Sequence, residues 1–547
     1  MQRTTITAIV LLLAGLLSVP GPASAQLSSG GVFRSRSQSA PSQVPGPSRL
    51  DEFVKGGKLR LTLEDAIGLA LLNNSDVSVS RAQDDLSRFA VERAHQPFDP
   101  VITTGFAPTR SVSPTASSLS GASTLSALSQ TTNAGYSQEF QTGTTFGAAF
   151  VTTRATTNSS FATVNPSFTS GLTFSLSQPL WRRRGLFPNR APIIIAQLGV
   201  HQSRATFAGR MSDTVQRVIG QYWDVVQARE TLVVLLKSLD LAQASYNRDK
   251  RALELGALPP LDIYRSESQV AQRKIAVIQA EYSLKQVEAL LRQTLGADLD
   301  ARIGVLDLDL TEKAEAAGQP TVVDLESALV EAHQNRPEIR AQSRQLAIDD
   351  VNVKLANDSL KPDLSLSANY STNGLGGVVL GTDSTGAPLV ISNGGLVDSL
   401  GQLGGFSFPT YGMTLQLRLP IRNSAASADL GTAVVSKRRD LYQMRSLEQS
   451  ISTEVKNAVH DLELAQLVMT AAETSRDLSA KNLAAEERKY QLGAETIFFV
   501  LDAQNQLSQA ELAVVQAQIA YQRALASVDH ATGTLLGKHK IDISSGH

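Results

Sequence analysis

The spacing of apolar residues along this chain switches from helical to alternating and back, and the whole succession occurs twice. It begins with Leu63-x-x-Ala66-x-x-x-Ala70-x-x-Asn73, a helical spacing that predicts a helix over 62–96. After Pro100 the period falls to two: Ile102, Thr104 and Phe106, and later Leu172-Thr-Phe174-Ser-Leu176-Ser. Helical spacing returns with Val215, Val218, Tyr222, Val225, Leu232, Leu236 and Leu239 and runs on to Leu253. Leu255-Gly256 is a left-handed cap signal, Pro259-Pro260 restarts the chain, and a further helix is predicted over 260–296.

The second pass keeps register with the first. Leu325-x-x-Ala328-x-x-x-Ala332-x-x-Asn335 repeats the opening motif at an offset of 262, and the match persists to Pro100 and Pro362. Leu492-Gly493-Ala494 repeats Leu255-Gly256-Ala257 at an offset of 237. The heptad Ile263, Val270, Val277, Leu284, Leu291 maps by the same shift onto Val500, Leu507, Val514, Tyr521, Val528. Two halves follow, 59–300 and 321–537, each built as helix, strands, long helix, helix.

The lengths balance. From Pro188 to Gly256 lie roughly 68 residues and from Asn423 to Gly493 about 70, each enough for a helix about 100 Å long. The flanking helices, 62–96, 260–296, 323–360 and 496–533, are about half as long, so two stacked end to end match one long one. Ala503, Ala510, Ala517 and Ala524 form a small-residue stripe that permits close helix approach. This describes a tall cylinder of helices, although heptads alone also fit an ordinary buried core.

The alternating segments are expected as strands at about 99–108, 168–180, 362–371 and 408–420, with long polar loops at 107–167 and 371–410. Met413-Thr-Leu415-Gln-Leu417-Arg-Leu419 and Leu364-Ser-Leu366-Ser-Ala368-Asn-Tyr370 are near the length of a membrane-crossing strand. Thr173, Ser175, Ser177, Ser365, Ser367, Thr414, Gln416 and Arg418 would then line a wet lumen. A half-exposed soluble sheet has the same period. The loop 107–167 holds one extra alternating stretch, Phe140 to Phe150. Four strands per chain cannot close a barrel, so transmembrane strands would require an oligomer.

The N-terminus shifts the balance towards a membrane. Arg3, an apolar run from Ile6 to Leu17, a Pro20-Gly21-Pro22 break and Ala23-Ser24-Ala25 read as a secretory signal peptide over 1–25. Residues 26–58 read as a flexible Ser/Pro/Gly-rich leader and 538–547 as a tail. The chain has 547 residues, no cysteine and a net charge of −1. Disulfide frameworks, thiolate metal sites and thiol catalysis are excluded, and no basic excess marks a nucleic-acid partner. The 7 histidines show no short metal spacing, so no metal, cofactor or enzymatic activity is expected. Gly533-Thr-Leu-Leu-Gly537-Lys538 falls one residue short of a phosphate loop, and Asp84-Asp85 and Asp349-Asp350 read as acidic pairs on solvated helix faces.

The repeated opening motif, Ser177-Gln178-Pro179-Leu180 with its counterpart Leu419-Pro420-Ile421, and Tyr490-Gln-Leu-Gly493 running to Val500-Leu501-Asp502-Ala503 together resemble the outer-membrane efflux protein (TolC) family over about 59–537. The resemblance implies a mainly α protein with a membrane β-barrel. Three chains would give four strands each to a twelve-stranded barrel above a periplasmic tunnel of coiled-coil helices. It implies an outer-membrane location and a passive duct for tripartite efflux or type I secretion. The partners would be a periplasmic adaptor, an inner-membrane transporter of RND, ABC or MFS type, and outer-membrane lipid.

The resemblance also assigns sites. Asp502 matches an acidic position ringing the periplasmic constriction, and Phe499 stands where some members carry a second acid. Asp262 and Tyr490 match a closed-state hydrogen-bonding latch, in which Glu495 replaces a basic residue. Gly256-Ala257 and Gly493-Ala494 match the turns where adaptor hairpins dock. By charge alone, three Asp502 carboxylates around a narrow axis would favour cations; a lone Asp502 early in a helix is equally a dipole-favoured surface residue. Asp262, near a helix start, also reads as a cap, and Tyr490 as a seam aromatic. Trp181, Arg182 and Arg183 at a strand end suit a membrane interface or, as well, a solvated turn. The competing whole-protein reading is an exported coiled-coil shaft or adhesin.

Overall fold

The computed structural model describes residues 46–115, 122–256, 263–313, 322–382 and 388–541. The expected signal peptide and most of the leader lie outside them. Short strands β1 (Val54–Lys55) and β2 (Lys58–Leu61) lead into α1 (Leu63–Asn73) and α2 (Ser75–Ala94). Strands β3 (Val101–Pro114), β4 (Thr124–Glu139), β5 (Thr145–Thr157) and β6 (Val164–Pro179) follow, then α3 (Leu186–Glu254), α4 (Ile263–Leu295) and β7 (Asp307–Leu310). The second half has α5 (Leu325–Asn335), α6 (Pro337–Ser359), β8 (Asp363–Thr382), β9 (Pro388–Asn393) and α7 (Leu396–Gly404). It ends with β10 (Pro409–Arg418), α8 (Ser424–Gln491), α9 (Ile497–Ala531) and α10 (Leu535–Lys538).

Helix α3 has 69 residues and α8 has 68, about 100 Å each at about 1.5 Å per residue. Both α2 and α4 pack along α3, and both α6 and α9 along α8, so each long helix carries two shorter ones. The α9 stripe of Ala503, Ala510, Ala517 and Ala524 is buried, as are Val500, Val514, Tyr521 and Val528 of the heptad.

The repeated motif works at the junction between shorter helices. Thr62 and Asp65 cap α1 reciprocally, and Asp324 caps α5 through the Ser327 amide at 2.9 Å. Ala66, Ala70, Ala328 and Ala332 are all buried. A glycine turn presses against the asparagine that ends each motif. A Cβ on Gly296 would stand 2.9 Å from that of Asn73, and one on Gly533 would stand 3.0 Å from the Asn335 carbonyl carbon. Both glycines are left-handed, at φ +70° and +74°. Beside the first junction a three-stranded sheet, β1-β2-β7 with β2 parallel to β7, buries Leu59, Leu61, Leu308 and Leu310 in the main core.

At the second junction the core is ionic. Arg336 is nearly buried and grips Glu454 through two bonds of 3.0 and 2.8 Å. His530 lies between Asp213 at 3.1 Å and Glu454 at 3.4 Å. Burial opposes the imidazolium, as does Arg336, but the hydrogen bonds to Asp213 and Glu454 prevail and raise the His530 pKa above its ordinary 6.5.

Three sequence expectations change. Residues 48–58 are not a free leader: Leu50 is buried, Ser48 bonds Asn73, and β1 pairs with β2. Asp84 and Asp349 are not on solvated faces. Asp84 is buried beside Arg88 at 3.1 Å, and Asp349 faces the buried Asp440 across the α6–α8 contact, which raises its pKa through burial and the neighbouring carboxylate. Residues 107–167 are not simply a loop, because β4 and β5 lie within them. The sheet orders its strands β10-β8-β6-β5-β4-β3, six in a row rather than four, with β9 added to β8. The extra alternating stretch Phe140 to Phe150 leads into β5, whereas β4 has weak hydrophobic contrast, which hid its alternation.

Two outcomes test the junctions. Because the folded His530 pKa is raised, its stabilisation is complete below about pH 6.5 and is lost as pH rises through the folded value. Denaturant unfolding of the helical signal therefore shows a fall in stability with rising pH that His530→Gln flattens. Gly533→Ala forces a Cβ into a left-handed turn and destabilises the fold by about 1–2 kcal/mol, read from the same unfolding midpoint.

Candidate functional site

The sheet has two chemically distinct faces. Directly paired residues share a face, so the registers define it strand by strand. One face carries Ile102, Phe106, Tyr136, Phe146, Phe150, Leu172, Phe174, Leu176, Tyr370, Leu366, Met413 and Leu415, aligned in rows such as Ile102–Tyr136–Ala148–Phe174–Tyr370–Tyr411. Much of it stands open in the single chain; Ile102 is 76% exposed and Met413 74%. The other face carries Thr103, Ser137, Thr173, Ser175, Ser177, Ser367, Asn369, Ser371, Thr414 and Gln416. All the sequence-nominated lumen residues lie on this second face.

The polar face is also smooth. Its glycines sit beneath neighbouring polar side chains. Asn133 Oδ1 lies 2.5 Å from the Cβ position of Gly105, Thr103 Oγ1 2.7 Å from that of Gly135, and Ser175 Oγ 2.6 Å from that of Gly147. On the apolar side, α7 covers the end of β8 remote from the long helices. Gly374 and Gly376 admit it, since a Cβ on either would collide with the carbonyl oxygens of Ser399 and Gly395.

The strand ends nearest the helices are tied by charge. Arg182 pairs with Asp363 at 2.8 Å and Arg183 with Glu139 at 3.3 Å, while the Arg183 amide donates to Asp358 at 2.8 Å. Trp181 beside them is half exposed. These arginines therefore fasten β4, β6 and β8 at the end where the long helices begin.

At the opposite end of the long helices lie the tip residues. Gly256 and Gly493 take φ +72° and +73°, and their amides bond Leu253 O at 2.9 Å and Tyr490 O at 3.0 Å. Ala494 donates to Lys489 O at 3.0 Å. Ala257 and Asp262 lie outside the described residues. The Tyr490 ring faces α3, with the Arg248 guanidinium 4.8 Å from its centroid. Asp249, fully buried beside it, accepts the Ser266 hydroxyl. Further cross-links join the two helix pairs: Gln504 to Ser245 at 3.2 Å, Arg273 to Asn505 at 2.9 Å and Lys237 to Glu511 at 2.6 Å. Glu495 is half-buried; with Glu486, the nearer and stronger partner, it raises the Lys489 pKa.

Asp502 is exposed and accepts a 2.7 Å hydrogen bond from Gln506. Phe499 is exposed and meets Phe498 edge-on at 5.5 Å between centroids, while Val500 and Leu501 beside it are buried. The helix thus presents Asp502 away from its own core. Sequence reasoning singled out Tyr490 but not Arg248, which lies in the mixed run Arg248-Asp249-Lys250-Arg251. No helix among the described residues is long and apolar enough to cross a membrane, and they contain no cluster of metal-ligand type.

Comparison with known proteins agrees with this geometry. The family pattern of the outer membrane efflux protein matches residues 328–534. The toluene efflux pump outer membrane protein TtgC of Pseudomonas putida is 23% identical over 348 residues, covering 58% of this chain and 65% of the relative's length, just under two thirds. The outer membrane protein TolC of Vibrio cholerae is 22% identical over 357 residues, covering 64% of this chain and 74% of that protein. Among solved structures, CusC superposes with a TM-score of 0.61 at 16% identity, over 90% of this chain and 95% of that one. VceC of Vibrio cholerae superposes with a TM-score of 0.60 at 13% identity, over 86% of this chain and 96% of that one. Residues 328–534 therefore match the pattern of the outer membrane efflux protein family, and the chain has the fold of the TolC-like channels on which it superposes.

Proposed function

We propose that this chain is the outer-membrane duct of a tripartite efflux or type I secretion system. The observation that carries the reading is the sheet. One face that carries rows of apolar side chains across all six strands suits lipid and one smooth polar face suits a water-filled lumen, and the two edges have no partner among the described residues of the chain. Three copies complete the wall, and their long helices form the tunnel below it. A periplasmic adaptor docks at the turns around Gly256 and Gly493, and an inner-membrane transporter of RND, ABC or MFS type supplies the energy. The duct itself performs no chemistry.

Gating follows from the tip contacts. The resting state holds the two helix pairs together through Arg248–Tyr490, Ser245–Gln504 and Arg273–Asn505. The Arg248 contact is worth about 0.5–1 kcal/mol at an exposed tip, small enough for an adaptor to overcome. Opening is a loosening of the helix ends about their tip contacts. Three Asp502 side chains, turned from their own helix cores, ring the axis at the constriction.

Purified protein reconstituted in a planar bilayer conducts in small, cation-selective steps. Complete absence of conductance from folded, inserted protein would overturn the duct reading. Asp502→Asn lowers the cation-to-anion permeability ratio without changing the unfolding midpoint; an unchanged ratio removes the ring. Arg248→Ala lengthens open dwell times several-fold, and Arg248→Lys, which keeps the charge over Tyr490, partly restores closure.

A further inference from the structure

We propose that the hairpin β4–β5 is part of the membrane wall, so that three chains close a barrel of eighteen strands. The inference rests on the trimeric duct reading and goes beyond it by fixing what each copy contributes and which edges meet. Six strands form an unbroken antiparallel path from β3 to β10 in each chain.

The first argument is registry. Strand β4 pairs with β3 along 14 residue pairs, from Val101–Ser137 to Pro114–Thr124, and β5 pairs with β6 from Thr145–Ser177 to Ala155–Ser167. The hairpin therefore spans the same height as its neighbours. In the half of the sheet nearer the helices its side chains continue both faces: Tyr136, Phe146 and Phe150 extend the apolar rows, while Ser137, Gly135 and Gly147 extend the polar one; farther out the hairpin places Gln130, Thr132, Thr152 and Arg154 on the first face. A hairpin that decorated the exterior or plugged the lumen would have no reason to keep both.

The second argument is the turn. Phe140 to Thr144 close the hairpin in one tight loop, with Phe140 N–H bonding Thr144 O at 2.8 Å. This turn abuts Pro179, Arg183 and Asn189, at the end of the sheet where α3 begins. The ends Pro114–Thr124 of β3 and β4 and Thr157–Val164 of β5 and β6 lie at the other end. Short turns on the periplasmic side are the pattern of membrane barrels.

The partner at each edge is a second copy of this chain: β3 of one meets β10 of the next. Both edges carry unpaired backbone groups, and in lipid those groups must be bonded. Antiparallel closure is allowed, because β3 runs away from the helices and β10 runs back towards them. The resulting wall is about 1.5 times as wide as one of twelve strands. The narrowest passage is then at the helix tips rather than in the membrane.

The experiment is electron cryo-microscopy of the conducting full-length protein in lipid nanodiscs, counting strands in sections through the bilayer. Eighteen strands with threefold symmetry support the inference. Twelve strands with residues 124–157 outside the wall overturn it while leaving the duct reading intact; a particle that is not trimeric overturns both. Cysteine pairs give an independent check, because the chain has none of its own. Thr103→Cys combined in turn with Thr410→Cys, Gly412→Cys or Thr414→Cys yields chains linked to one another. Thr103→Cys with Thr173→Cys, which have β4 and β5 between them in this sheet, yields no bond; an intrachain bond there overturns the inference.

Discussion

Lipid supplies no hydrogen bonds, so a sheet placed in it must end by pairing with something. Most features of this chain follow from that requirement. The first and last strands of the sheet, β3 and β10, are joined to helices that run away on the same side. Whatever closes the sheet therefore sets the spacing of the helices. The arginine pairs at the strand ends make the coupling stiff: Arg182–Asp363 and Arg183–Glu139 tie β8 and β4 to the segment that joins β6 to α3. The sheet's width and the tunnel's girth cannot vary independently.

The duplicated architecture has been used unevenly. Both halves keep the alanine motif, the glycine junction and the long helix, because these determine how helices stack. The first half inserts β4 and β5 between its two outer strands. The second half instead carries β9 and α7, which cover the remote end of β8. The helical part tolerates little change because Ala66, Ala70, Ala328 and Ala332 leave no room, whereas a meander of strands accepts a whole hairpin without altering its neighbours' pairing.

The helical part was legible from sequence because its signals are strong and redundant. Heptads, Leu-Gly caps and two constant offsets are together enough to set the lengths of α3 and α8. The strands with Leu, Phe and Met on one face were equally plain. The hairpin was legible only in part: Phe140 to Phe150 alternates into β5, but β4 reads Thr-Leu-Ser-Ala-Leu-Ser-Gln-Thr-Thr-Asn-Ala-Gly-Tyr-Ser-Gln-Glu, where small and polar residues fill both faces and only pairing reveals the alternation. Burial of Asp84, Asp349 and Asp440 was hidden for another reason. A single carboxylate on a polar helix face gives no sign that a second helix will lie over it. Arg248 was masked by the charges around it, and its partner Tyr490 lies 242 positions away.

In the proposed duct, the polar face accounts for passive conduction. Asn133 over Gly105, Thr103 over Gly135 and Ser175 over Gly147 lay polar side chains flat on the backbone instead of projecting them. Each such pair removes a side chain that would narrow the lumen and turns the remaining polar group against its neighbour. The wall then offers passing molecules short hydroxyls and amides, with no deep apolar pocket and few charges. A surface of that kind binds nothing tightly, which suits a conduit whose cargo must leave as readily as it enters. In the proposed gate, control passes to the tips, where Arg248 and Tyr490 and their neighbours join different helix pairs and must part before the passage widens.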